Sequence, residues 1–313
     1  MSERLLQMPW IWAYLGAAVV FGATIFVTGI GGGGQVASAA LTFAVFFVIV
    51  GIGQMFVITL GPGNVDLSIP ATMTLAGSVS MKVMDGANGL LIPGFAVAIA
   101  CGAVVGCFNY ALIRVLRIPP IIATLSSSFI VQSAAIAYGR GLRIKPPPLL
   151  SDFTTVQIAG VPVLAICVVV LAIVMSLVLN RTAYGIGVTA IGQNPRAALL
   201  SGVSVERVRF VTYVLCAVFA GLCGFLLAGF SGGASLNMGT EYLLASIAVV
   251  VIGGTSVAGG SSNVAGLWGA ALFMYLLVTM LYTYSIGAGL RLILTGLIII
   301  TIILIAGGRR GTR

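Results

Sequence analysis

Residues 41–81 read LTFAVFFVIVGIGQMFVITLGPGNVDLSIPATMTLAGSVSM. The apolar residues on both sides are typical of membrane-spanning helix, and the ten residues GPGNVDLSIP at 61–70 interrupt them. The interruption holds two glycines, two prolines, an asparagine and Asp66, the one acid in the stretch. The pattern predicts a broken membrane helix. The break is either an ordinary loop or a place where something must pass.

The composition of the whole chain places it in a bilayer. Of 313 residues, 60% are hydrophobic and 7% are charged, and the mean hydropathy is +1.19. A soluble domain carries about 25% charged residues. No polar stretch is long enough for a second folded domain, so we expect residues 1–313 to form a single transmembrane domain.

Composition also argues against a metal site or a cofactor. The chain has no histidine, and its five cysteines lie inside apolar runs without CxxC spacing. A metal site needs clustered Cys, His or carboxylate ligands. The net charge of +9 comes from basic residues at the ends of apolar segments. There they report orientation in the membrane, and no nucleic-acid partner is expected.

Hydropathy predicts an all-α polytopic membrane protein with broken or re-entrant segments. A spanning helix needs about 20 mostly apolar residues. The first apolar stretch is too long for the apolar region of a signal peptide, so it is predicted as the first span. About ten candidates follow from cuts at glycine, proline and charge clusters, the third and eighth being short: 10–28, 37–60, 67–84, 90–113, 119–138, 160–179, 210–230, 242–258, 263–282 and 289–306.

The basic residues predict that both termini are cytoplasmic. Ten spans place the two termini on one side of the membrane. With the N-terminus inside, ten of the fifteen basic residues fall in inner segments. This is the bias expected of cytoplasmic segments.

The longest inner segment, 180–209, reads NRTAYGIGVTAIGQNPRAALLSGVSVERVR. Asn194 precedes Pro195, as an N-cap residue precedes a proline at the first helical position. PRAALLS then makes about two turns, and Gly202 can adopt the left-handed conformation that ends a helix. So short a helix is unstable alone in water. Its apolar side must lie against the lipid interface or its own bundle, or enter the groove of another protein.

Two long motifs carry a family resemblance. GQNPRAALLSGVSVERVRFVTYVLCAVFAGLCGFLLA at 192–228 and AVVVIGGTSVAGGSSNVAGLWGA at 248–270 resemble the ribose-type sugar permeases of the ABC importers, and VDLS at 65–68 agrees. The resemblance implies that the short helix is the coupling helix that docks in a cleft of the ABC ATPase subunit. The coupling residues would be Asn194, Pro195, Arg196, Ala197, Ala198, Ser201 and Gly202.

The resemblance also implies the remaining partners. These are an extracytoplasmic sugar-binding protein and a second permease subunit, either an identical copy or a related chain. The chain departs from the family in two places. Asn64 stands where a glycine is usual, and an acid pair is missing from Tyr242–Ala248, with Glu241 displaced to the position before it.

The sequence contains no energy source of its own, which indicates an ATPase partner independently of the family resemblance. There is no GxxxxGK[ST] nucleotide loop, and no row of buried acids or histidines that could relay protons. The function expected is the permease subunit, not itself an enzyme, of an ATP-driven importer of a monosaccharide or similar small polar solute in the bacterial inner membrane. The alternatives are a self-sufficient channel or facilitator, which would need no docking loop, and a membrane-embedded enzyme.

A second break, GGTSVAGGSSN at 253–263, matches the first. Irregular backbone at membrane depth is tolerated where it is buried in protein or lines a water-filled cavity. The polar side chains of the two breaks are therefore the candidate substrate pathway: Asn64, Asp66, Ser68, Thr255, Ser256 and Asn263. The alternative for Asp66, and equally for Glu241, is that the carboxylate caps the helix that follows it.

Overall fold

A computed structural model describes residues 9–141, 144–287, 289–290, 293–298 and 300–301. The helices are α1 Pro9–Thr28, α2 Gly33–Thr59, α3 Ile69–Met84, α4 Leu91–Arg114, α5 Pro120–Gly139, α6 Pro148–Thr155, α7 Val163–Arg181, α8 Ala183–Gln193, α9 Pro195–Leu200, α10 Val205–Phe230, α11 Tyr242–Ile252 and α12 Val264–Thr283. Two 3₁₀ turns, Ile30–Gly32 and Asn88–Leu90, precede α2 and α4. An antiparallel hairpin pairs β1 Gln157–Ile158 with β2 Val161–Pro162.

The all-α polytopic membrane architecture is confirmed. Within the described residues, seven helices are long and apolar enough to cross a membrane, namely α1, α2, α4 with its 3₁₀ turn, α5, α7, α10 and α12. The third and eighth candidates are short, as expected: α3 has 16 residues and α11 has 11. The tenth candidate, 289–306, lies partly outside the described residues, so the number ten stays a prediction.

Helices α2 and α10 form the centre of the bundle. Every residue of α2 from Val48 to Thr59 is buried, and a helix that is apolar on all sides belongs in the interior of a bundle. Helix α10 packs against α2, α3 and α4, and α12 packs against α1 and α2. Large apolar side chains of α1, α4 and α5, such as Phe26, Val104 and Phe129, are exposed. These outer helices present the surface that suits lipid.

Glycines let the central helices approach closely. A Cβ atom at Gly106 of α4 would lie 2.5 Å from Val214 Cα, and one at Gly102 would clash with the carbonyl oxygen of Ala217. On α10, Gly221 and Gly224 meet the backbones of α4 and α3 in the same way. Small residues therefore allow the backbone of α10 to lie directly against those of α3 and α4.

The two ends of the bundle differ in charge. We call the end that carries α8, α9 and the C-termini of α4 and α7 the α9 face, and the end that carries α6 and the hairpin the α6 face. The α9 face holds six of the described basic residues: Arg114, Arg117, Arg181, Arg196, Arg207 and Arg209. The α6 face holds Lys82, Arg140 and Lys145 among the described residues. This distribution is the one expected if the α9 face is cytoplasmic.

The contact between α4 and α10 generates the first prediction. We expect Gly102→Val to destabilise the bundle by about 1–3 kcal/mol or more, because the side chain meets backbone that cannot rotate away. Thermal unfolding of the detergent-purified protein, followed by size-exclusion chromatography, measures the change. Gly22→Val is the control, because nothing lies within 4 Å of a Cβ atom at Gly22 on α1. Equal unfolding midpoints for the two variants would contradict the packing.

Candidate functional site

The first break returns into the bundle instead of crossing its surface. After Thr59, Gly61 and Gly63 take positive φ values of 120° and 78° and turn the chain. The N–H of Asp66 then donates to Gln54 Oε1 at 3.2 Å. Gln54 lies five residues before the end of α2, which is about 7 Å along the helix axis.

Helix α5 holds the same break from the other side. The N–H of Leu67 donates to Thr124 Oγ1 at 3.1 Å, and that hydroxyl also lies 3.1 Å from the carbonyl oxygen of Val65. Thr124 lies four residues inside the start of α5. Helix α3 therefore begins inside the bundle, and the segment is a true break in a membrane helix.

The Asp66 carboxylate is buried in a cluster of neutral groups. It is 1% exposed, and its Oδ1 accepts from Ser68 N at 2.8 Å and from Ser68 Oγ at 2.6 Å. Asn109 Nδ2 of α4 donates to Ser68 Oγ at 2.8 Å and lies 3.4 Å from Asp66 Oδ1. The hydrogen bonds fix the turn that leads into α3. Ser68, not Asp66, is the N-cap residue of that helix, and its side chain makes no cap hydrogen bond.

Two amide atoms beside Asp66 are unpaired. Gln54 Nε2 and Asn109 Oδ1 are buried and have no hydrogen-bond partner among the described residues. A buried polar group without a partner costs about 1–3 kcal/mol. The cluster therefore offers one free donor and one free acceptor next to a carboxylate.

Asn64 is held by the central helix α10. Its Oδ1 accepts from Tyr213 Oη at 3.0 Å, and its Nδ2 donates to the carbonyl oxygen of Gly61 at 3.1 Å. Sequence reasoning missed Tyr213, Gln54, Asn109 and Thr124. A polar residue inside an apolar span is the signal that could have identified the last three.

The second break contains one helix cap and two buried hydroxyls, on Thr255 and Ser262, that have no partner among the described residues. Thr255 is 3% exposed, and its Oγ1 has no partner in the described part of the chain. Ser256 N donates to the carbonyl oxygen of Ser261 at 2.9 Å, which closes a turn. Asn263 Oδ1 accepts from Ala265 N at 3.0 Å and caps α12. Of the three candidate residues, Asn263 uses its side-chain oxygen in the cap, whereas Thr255 has a buried hydroxyl without a partner among the described residues.

The two breaks meet at a junction of backbones. Gly260 N donates to Thr59 O at 2.9 Å, and a Cβ atom at Gly259 would clash with Gly61. Gly192 of α8 lies against both, because a Cβ atom there would clash with Thr59 O and with Gly260 N. We call Thr59, Gly192 and Gly260 the three-way junction. It joins both breaks to the residues that immediately precede α9.

Helix α9 has the cap and the stop that the sequence predicts. Asn194 Oδ1 accepts from Arg196 N at 3.0 Å and from Ala197 N at 3.1 Å. Gly202 has a φ of 86° and ends the helix in the left-handed conformation. These local features are confirmed.

The apolar side of α9 is only half covered. Ala198 is buried against the bundle, whereas Leu199 is 62% exposed and Leu200 is 88% exposed. Arg196 and Ser201 are exposed beside them. The helix therefore rests on its own bundle with one side and leaves two leucines and an arginine on the surface of the α9 face.

Comparison with known proteins identifies the family. Residues 36–304 match the family described as branched-chain amino acid transport system / permease component. The chain belongs to this family of permeases. No solved structure gives a significant match.

The relatives include bacterial import permeases. The chain is 30% identical to the ribose import permease protein RbsC of Bacillus subtilis, over 82% of this chain and 80% of that protein. It is 28% identical to the autoinducer 2 import system permease protein LsrC of an Enterobacter species, over 79% and 72%. It is 29% identical to the probable ABC transporter permease protein y4mJ of Sinorhizobium fredii, over 84% and 80%.

These comparisons and the seven spans define a multi-pass membrane permease of the ABC transporter class. The expected resemblance is confirmed. The alternative of a self-sufficient channel or facilitator is not favoured, because the relatives are permease subunits of import systems.

The bonds around Asp66 generate the second prediction. Asp66→Leu removes the acceptor for both Ser68 groups, and we expect a loss of about 2–5 kcal/mol in the free energy of unfolding. Asp66→Asn keeps an acceptor oxygen, so its loss is smaller. Thermal unfolding in detergent measures both, with Asp152→Leu on the exposed surface of α6 as the control. An Asp66→Leu protein as stable as the wild type would show that the cluster does not brace α3.

Proposed function

We propose that the chain is the permease subunit of an ATP-driven importer for a monosaccharide or similar small polar solute in the bacterial inner membrane. The observation that carries the proposal is the family match over residues 36–304, with relatives named for the import of ribose and of autoinducer 2. The absence of a nucleotide-binding loop in the sequence agrees with this role, because ATP must then be hydrolysed by a separate subunit.

Helix α9 is the docking element for that ATPase. Its coupling residues are Asn194, Pro195, Arg196, Ala197, Ala198, Ser201 and Gly202. Asn194 and Gly202 fix the two ends, and Ala198 fixes the side that faces the bundle. The exposed leucines Leu199 and Leu200 provide the apolar surface that a groove in a partner would cover.

The three-way junction is the route by which a movement of α9 reaches the bundle. Gly192 contacts the backbones of Thr59 and Gly260 without an intervening side chain. A displacement of α9 therefore acts on the end of α2 and on the second break together. In the proposed mechanism of alternating access, ATP binding draws the α9 helices of two permease subunits together, and the bundle opens on the α6 face.

The remaining partners are those that the family resemblance implies. A second permease subunit completes the transporter, and an extracytoplasmic sugar-binding protein delivers the solute at the α6 face. The substrate-pathway residues of the two breaks remain part of the proposal: Asn64, Asp66, Ser68, Thr255, Ser256 and Asn263. Their best support is the unpaired hydroxyl of Thr255 and the unpaired amide atoms beside Asp66.

Reconstitution tests the function as a whole. Proteoliposomes that contain the permease with its ATPase and binding protein should take up a labelled monosaccharide such as ribose only when ATP reaches the ATPase. Uptake that needs no ATP and no partner would instead establish a facilitator.

Charge reversal on α9 gives the third prediction. We expect Arg196→Glu to abolish binding-protein-stimulated ATP hydrolysis in the complex while the permease remains folded, because the side chain lies on the exposed docking surface. Leu200→Asp should act in the same way, because it places a charge where an apolar surface is covered. Arg181→Glu, on the same face but outside α9, is the control. Unchanged stimulated hydrolysis in both α9 variants would remove the coupling role.

A further inference from the structure

A polar segment without regular structure enters the bundle from the α6 face. Residues 231–241 read SGGASLNMGTE and connect α10 to α11. By composition the segment is indistinguishable from a loop in water. Its neighbours show where it lies.

The contacts of this segment run along α3 from the α6 face towards the α9 face. Near the start of the segment, a Cβ atom at Gly233 would lie 3.0 Å from the carbonyl oxygen of Ile144 in the loop before α6. Further on, Gln132 Nε2 of α5 donates to the carbonyl oxygen of Leu236 at 2.8 Å. Gly239 then lies against the backbone of Pro70, in the first turn of α3. The first turn of α3 is the end nearer the α9 face.

The segment ends in the middle of the bundle. The ring of Tyr242, the first residue of α11, lies 5.0 Å from the ring of Phe47, centroid to centroid. Phe47 is almost equally far from both ends of α2, with roughly 20 Å of helix on each side. Helix α11 therefore begins at mid-depth, and residues 231–241 cross the outer half of the bundle as irregular backbone.

One side of this segment is polar and uncovered. Gly239 and Tyr242 are buried, whereas the four polar residues on the other side are exposed: Ser235, Asn237, Thr240 and Glu241. Glu241 precedes α11 but makes no cap hydrogen bond, so the capping alternative does not account for it. In the described residues its carboxylate takes part in no ion pair.

Such a surface is incompatible with lipid. Irregular backbone at membrane depth occurs where it is buried in protein or lines a water-filled cavity. Ionisable side chains at that depth face the bundle interior or an aqueous path. The exposed side of this segment, with an amide, two hydroxyls and a carboxylate, is not covered by the described residues of this chain, so it needs either water or protein outside this chain.

We propose that Ser235, Asn237, Thr240 and Glu241 line the path of the solute through the outer half of the transporter, and that they bind a neutral polyhydroxylated solute. This inference rests on the proposed function and adds a surface that the two breaks do not provide. The carboxylate and the amide oxygen accept hydrogen bonds from hydroxyl groups, and the amide nitrogen donates them.

The carboxylate of Glu241 disfavours anions at mid-depth. Lys82 of α3 and Lys145 in the loop before α6 lie at the α6 face, and none of the described basic residues forms an ion pair with Glu241. A phosphorylated or carboxylated solute would therefore meet a carboxylate without a compensating cation.

Thiol labelling tests the aqueous path without reference to any solute. In a variant whose five native cysteines are replaced by alanine, Asn237→Cys and Thr240→Cys are compared with Val170→Cys. Val170 lies in the middle of the apolar helix α7 and is 55% exposed. A membrane-impermeant methanethiosulfonate is applied from both sides, with and without ATP-bound partner subunit.

We expect the two segment cysteines to react about tenfold faster than the Val170 cysteine in at least one state, because the thiolate is the nucleophile that attacks the reagent and a thiol ionises only in contact with water. Equally slow labelling at all three positions in every state would overturn the proposal. A dry contact with a second permease subunit would give that result.

Transport by Glu241 variants tests the recognition. In the reconstituted complex, Glu241→Ala should lower monosaccharide uptake about tenfold, because the solute loses hydrogen bonds to a charged group. The uptake of Glu241→Gln should lie between those of the wild type and Glu241→Ala. Stimulated ATP hydrolysis should persist, because α9 is unchanged, and Asp152→Ala should transport normally. A sugar phosphate should not compete with uptake in the wild type.

The two proposals fail in different ways. A wild-type complex that imports the sugar, with Glu241→Ala importing it equally well, would overturn the recognition surface and leave the proposed function standing. A wild-type complex that imports no monosaccharide, although Thr240→Cys is labelled, would count against the proposed function and leave the aqueous path standing.

Discussion

The fold depends on finding hydrogen-bond partners for the backbone where helices are interrupted within the membrane. An unpaired N–H or C=O group there costs several kcal/mol. The breaks in this chain meet the requirement by pairing with each other. Gly260 N bonds to Thr59 O, and Gly192 closes the gap with no side chain between the backbones. Because these backbones are in direct contact, one of them cannot shift without displacing the others. The three-way junction therefore has two roles. It satisfies backbone groups of both breaks, and it connects the breaks to the residues before α9.

The start of α3 meets the same requirement by different means. Here side chains replace backbone partners: Gln54 and Thr124 accept the N–H groups of Asp66 and Leu67, and the Asp66 carboxylate accepts those of Ser68. Side-chain hydrogen bonds can exchange partners more readily than backbone packed against backbone. The bundle thus combines a rigid junction at the α9 face with a polar cluster about one and a half turns deeper. Among the described residues, that cluster has one donor and one acceptor without a partner.

The sequence predicts what is local and cannot predict what is distant. Hydropathy locates the long spans, and the cap at Asn194 and the stop at Gly202 follow from rules that involve only neighbouring residues. Apart from Ser68, the partners of Asp66 come from two other helices, α2 and α4, so no local rule selects Asn109 over any other buried amide. The predicted spans 210–230 and 242–258 leave the segment 231–241 between them as a connection. Its depth is evident only from contacts with α3 and α5.

These contacts place polar groups at successive depths along one helix. The segment 231–241 packs beside α3 from the α6 face to Pro70, and Asp66 and Ser68 follow at the start of α3, nearer the α9 face. Each level offers a few neutral groups and one carboxylate. In the proposed path, hydrogen bonds of about 1 kcal/mol each, divided among several levels, would hold a hydroxylated solute without trapping it at any of them. A single strong site would instead have to be broken by a large conformational change. The distribution of weak groups therefore suits a path better than it suits a binding protein.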